Sequence, residues 1–146
     1  MRRFLHLTFA ALFVAAALSV AAGDPPKGGD DAAKSPQAKV YLDWVKAVKA
    51  GNIEAWKKLV PAEASQQIEA QAKEMKKKPK DVLEFLGSMT QDENKITGLK
   101  VDGSKATLSV VGKTKGEPKP SYGNVGMIQE GGAWKVCRQS WSDKPE

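Results

Sequence analysis

From Val40 the apolar positions keep helical spacing: Val40, Tyr41, Trp44, Val45 and Val48 fall on one stripe and predict a helix running to Ala50. Gly51 supplies a left-handed stop, and Asn52 is placed to cap a second, short helix carrying Ile53, Trp56, Leu59 and Val60. Pro61 ends it. A third helix is expected from about Ala62 to Lys77 with Ile68, Ala72 and Met75 on its apolar side, and Pro79 breaks it. Asp81 then reads as the cap of a fourth helical segment containing Val82, Leu83, Phe85, Leu86 and Met89.

After Gln91 the period changes from helical to alternating, and four strands are expected: about Lys95 to Val101, Lys105 to Gly112, Ser121 to Gln129 and Ala133 to Trp141. Asp102-Gly103-Ser104 and Gly131-Gly132 are tight-turn signals that pair them as hairpins. Gly116, Pro118 and Pro120 keep the intervening loop out of the sheet. Gly123 and Gly126 within the third strand predict a bulge or bend, hence a curved sheet. If no bulge shifts the alternation, Trp141 points to the opposite face from Trp134. The fold class is α+β: N-terminal helices packed on a curved four-stranded antiparallel sheet.

The N-terminal pattern is of another kind. Arg2 and Arg3 precede an apolar run from Thr8 to Ala22 that closes on small residues, which reads as a signal peptide over residues 1–22 and an exported, periplasmic or extracellular protein. The run is shorter than the roughly 20 apolar residues of a spanning helix, so no stable membrane insertion is expected after cleavage. His6, the only histidine, leaves with the signal. Residues 23–37 are rich in Pro, Gly, Asp and Lys without apolar periodicity and are expected to form a disordered linker, so that one domain spans 38–146.

Charge narrows the partners. Loss of Arg2 and Arg3 takes the net charge from +6 to +4, too mild for a dedicated nucleic-acid binder. Cys137 stands alone, which excludes an internal disulfide, and it reads as a small buried strand residue in preference to a reactive thiol.

The opening helix with Tyr41 and Trp44, the Ala50-Gly51-Asn52 break, and the terminal hairpin Gln129-Glu130-Gly131-Gly132-Ala133-Trp134-Lys135-Val136 together resemble the nuclear transport factor 2-like superfamily, the cystatin-like α+β cone. The resemblance covers about Ala38 to Trp141. It implies a sheet curved around the first helix, a pocket at the open end of the cone, and homodimers paired through the outer sheet face. Superfamily enzymes work with inward Asp, His or Tyr residues in that pocket. Here the inward strand positions carry Ala, Leu, Val, Met and Trp, leaving no positioned general base, so the resemblance implies no catalytic residue.

Trp44, Trp56 and Trp134 read first as core side chains. With Tyr122 and Met127 they are the candidates to line any apolar pocket the cone leaves. The lysine run Lys73, Lys76, Lys77, Lys78 and Lys80 is either a solvated helix end or a contact for an anionic surface. No metal set and no cofactor motif is present. The sequence therefore points to a non-enzymatic binding module whose partner is a small apolar ligand or a protein. A surface-mediated contact with a protein or anionic envelope polymer is the alternative, and a cryptic superfamily enzyme follows behind both.

Overall fold

The computed structural model describes residues 27–145; the expected signal segment and the first residues of the expected linker lie outside them. The chain is α+β, with five helices and a five-stranded antiparallel sheet in the order β1-β2-β3-β4-β5 among the described residues. The elements are β1 (Lys27–Gly28), α1 (Gly29–Ala33), α2 (Pro36–Ala50), α3 (Ile53–Lys57), α4 (Ala62–Glu74), α5 (Pro79–Ser88), β2 (Glu93–Asp102), β3 (Lys105–Lys113), β4 (Ser121–Glu130) and β5 (Ala133–Ser142).

Two expectations are corrected at the N-terminal end. The sheet has a fifth strand: Lys27 pairs with Leu99 and Gly28 with Gly98. That strand, α1 and the start of α2 come from the segment expected to be linker. Ala32 is wholly buried there, and the Ser35 hydroxyl donates to Ala32 O at 2.6 Å while accepting from Ala38 N–H at 3.1 Å. A helix cap and one buried alanine hold a segment whose composition carries almost no apolar signal.

The helix stops follow the sequence at Gly51, which sits at φ 62°, and at Asn52, whose side chain accepts from Ala55 N–H at 3.1 Å. α4 ends earlier than expected, at Glu74, and Met75 is exposed instead of buried. Asp81 is not the cap of α5. Pro79 opens that helix, where a missing N–H costs nothing, and the Asp81 carboxylate accepts from Lys78 N–H at 3.1 Å.

α2 divides the core. Its Ala38, Tyr41 and Val45 pack on the inner sheet face, against Ile96, Leu99, Ala106, Leu108, Val110, Val125, Met127 and Val136. Its Ala47 and Val48 join Trp56, Val60, Ile68, Ala72, Val82 and Leu83 in a second cluster under α3–α5. Trp44 touches both clusters and stacks on Tyr41 at 6.0 Å between ring centroids. The Tyr41 hydroxyl donates to Asn94 Oδ1 at 3.1 Å, and burial pushes its pKa up.

Two β-bulges shape the sheet. Ile96 pairs with Val110 and Gly98 with Ser109, which leaves Thr97 as the extra residue of β2. Gly126 pairs with Arg138 and Met127 with Val136, which leaves Cys137 as the extra residue of β5. Each bulge bends its strand and resets which face the following side chains occupy.

Candidate anion-binding face

The bulge at Cys137 decides what the outer face carries. Val136 points inward, so plain alternation would send Arg138 into the core and Trp141 to solvent. The extra residue reverses both. Arg138 is exposed on the outer face, and Trp141 packs against the inner cluster, as Trp134 does at the other end of the strand. Trp141 is expected to face away from Trp134 only where no bulge intervenes; the register shift between Gly126 and Met127 does intervene and puts both on the inner face.

Outward residues now line up across the strands. Pairing places Gly98, Ser109, Asn124 and Ser140 in one row, and Lys100, Thr107, Gly126 and Arg138 in the next. Gly126 is what lets the arginine lie down. A Cβ built there would stand 2.9 Å from Arg138 Cγ and 3.3 Å from its Nε, so the side chain crosses β4 directly above bare backbone.

The first row runs along two adjoining depressions of about 180 and 550 Å³, which share Ser109, Asn124 and Ser140. Tyr122 and Trp141 edge the smaller one, while Lys27, Lys100, Thr107 and Arg138 edge the larger. Among the described residues no carboxylate lines either depression. The ion pairs of those residues, Lys39–Asp43, Lys49–Asp92, Lys57–Glu69 and Lys80–Glu84, leave Lys27, Lys100 and Arg138 uncommitted. A guanidinium and two ammoniums beside hydroxyls and an amide form a surface for an anionic, hydroxyl-bearing ligand.

The sequence-expected pocket residues are dispersed. Met127 and Trp56 are buried in different clusters, Trp44 bridges the two, and Trp134 packs at the edge of the sheet cluster. Tyr122 alone reaches one of these depressions, and it does so on the outer face. The indole N–H of Trp56 is buried without a partner among the described residues. The five lysines Lys73, Lys76, Lys77, Lys78 and Lys80 lie together, exposed, on the hairpin of α4 and α5. They are remote in the layer order from the sheet's outer face, because α2 separates α5 from the sheet.

Cys137, expected to be buried, is exposed, because the bulge takes it out of the alternation. Its Sγ lies 3.1 Å from Gly126 O, donating to that carbonyl, and partial burial pushes the thiol pKa up. Sequence reasoning missed Lys27, Lys100 and Arg138, since single cations on strand exteriors are ordinary. The available signal was the run of alternate polar positions Lys100, Thr107, Ser109, Asn124, Arg138 and Ser140.

No protein-family model matches the chain, and no curated protein matches it either. Among the described residues no group of three or more His, Cys, Asp or Glu is placed to hold a metal ion, and no helix is long and apolar enough to cross a membrane.

Proposed function

We propose that this chain is an exported, non-enzymatic binding module that takes an acidic-glycan type of ligand on the outer face of its sheet. The observation that carries this reading is Arg138 lying across Gly126, within one row of Lys100 and Thr107, in a trough with no carboxylate among its described lining residues. Arginine forks a carboxylate or sulfate, the two lysines add charge, and Thr107, Ser109 and Ser140 meet sugar hydroxyls. This favours the surface-mediated reading over an interior apolar pocket, because the residues expected to line that pocket are spread through two packed clusters.

Helices on one face of a curved antiparallel sheet accord with a nuclear transport factor 2-like cone, to which we assign the chain as a working family. The sheet-face homodimer of that family fits this chain poorly. A two-fold pairing through the outer face would set Lys27, Lys100 and Arg138 against their own copies.

The test is affinity for polygalacturonate and dextran sulfate, with neutral dextran as the control. Binding should fall with salt, and Arg138→Ala or the Lys27→Ala/Lys100→Ala pair should weaken it about tenfold, as loss of a charge-assisted contact does. Equal binding to neutral dextran, or full affinity in these variants, overturns the reading.

A further inference from the structure

Large apolar side chains that stand exposed among the described residues are Met75 (47%), which caps the C-terminus of α4, and Phe85 (61%), Leu86 (37%) and Met89 (60%), which belong to α5 and its C-cap. Phe85 and Met89 are one turn apart with Leu86 beside them, so they continue outward the stripe that Val82 and Leu83 bury. The same hairpin carries Lys73, Lys76, Lys77, Lys78 and Lys80, all exposed. Only Lys80 of these pairs with a carboxylate among the described residues, Glu84 at 3.5 Å.

The turn itself is unusual. Lys76 sits at φ 53°, its N–H donates to Lys73 O at 3.2 Å, and Lys77 N–H donates to Ala72 O at 2.9 Å. That is the C-terminal motif in which glycine ordinarily takes the left-handed position. A solvated helix end accounts for lysines near the α4 dipole, but neither for a lysine kept at the strained position nor for the apolar stripe beside it.

We propose that the α4–α5 hairpin is a docking surface for an anionic lipid bilayer. Phe85, Leu86 and Met89 enter the headgroup layer, and Lys76, Lys77, Lys78 and Lys80 meet its negative charge. The complementarity selects this occupant. Lysines are flexible point charges, without the fork that reads a fixed carboxylate, and they suit a fluid array of headgroups. A second copy would set the lysines against one another in a two-fold pairing. This surface is separate from the sheet trough and does not rest on it.

The experiment mixes the full chain with phosphatidylcholine vesicles containing or lacking phosphatidylglycerol. Residues 1–26 are common to wild type and variants, so differences between them read the hairpin. Phe85→Trp adds an indole that brominated lipid should quench on the anionic vesicles only. Phe85→Ser/Met89→Ser and Lys76→Gln/Lys77→Gln/Lys78→Gln should each weaken anionic-vesicle affinity at least about tenfold, with circular dichroism unchanged because these residues are exposed. Arg138→Ala should leave that affinity unchanged. Quenching that ignores lipid charge, unaltered affinity in both hairpin variants, loss of vesicle binding in Arg138→Ala, or a wild-type dimer that Phe85→Ser/Met89→Ser dissolves without any vesicle binding each overturns the proposal.

Discussion

Trp141 lies so close against Gly123 that a Cβ on the glycine would stand 2.7 Å from two carbons of the indole. The two are register partners across β4 and β5, so the absent side chain is what admits the ring to the inner face. Gly123→Ala should therefore cost about 2 kcal/mol, as overpacking of a filled site does. Urea unfolding measures it. In a Trp141→Ala background the same substitution should cost little, and an unchanged penalty there would show that the ring is not the obstacle.

That contact also shows what the sequence could and could not convey. The helix stripes were legible because a 3.6-residue period survives in Tyr41, Trp44, Val45 and Val48 whatever the tertiary setting. The bulge was half legible: Gly126 marked an irregularity in β4, but nothing in the composition of β5 shows that Cys137 is the extra residue. On that one residue turns the facing of Arg138 and Trp141, and with it the cationic trough. β1 and α1 were illegible for another reason. They are held by backbone pairing, the Ser35 cap and the burial of Ala32, none of which produces a hydrophobic period. The lysine run was visible, whereas the exposure of Phe85 and Met89 beside it depends on which side of α5 the α2 and α4 helices cover.

Lys76 gives a prediction of opposite sign. A non-glycine residue at φ 53° bears the steric cost of the left-handed region, about 1 kcal/mol, against which glycine's extra freedom in the unfolded chain must be set. Lys76→Gly should raise stability by up to about 1 kcal/mol, while Lys76→Ala should not raise it. Thermal unfolding of the two variants side by side decides it, and equal midpoints would mean that the turn relaxes freely.

Cys137 is exposed, yet its thiol donates to Gly126 O and partial burial raises its pKa. Thiolate is the reactive form. Iodoacetamide should therefore label the folded chain more slowly than the unfolded chain at mildly alkaline pH, and the folded chain's rate should climb at a higher pH. A folded-state midpoint at or below the unfolded one would contradict the partial burial that raises the thiol pKa.

Asp92 ties the sheet to the helices at its other end. Its carboxylate accepts from Lys115 N–H at 2.7 Å and from Lys49 Nζ at 2.9 Å, joining the loop after β3 to the end of α2. The backbone hydrogen bond from Lys115 first, then the Lys49 ammonium, holds its pKa below the ordinary carboxylate range. A carboxylate whose folded pKa is depressed stabilises the fold above its unfolded value, near 3.9, and that contribution disappears as pH falls through the folded value. Stability should thus carry an acid limb below about pH 4 that Asp92→Asn removes, while at neutral pH the variant loses only a solvent-screened contact. Carbonyl chemical shifts of Asp92 followed through the titration, together with hydrogen exchange at the Lys115 amide, provide the check. A titration midpoint at the unfolded value, or a Lys115 amide equally protected in Asp92→Ala, which removes the acceptor, would show that the carboxylate does not hold this loop.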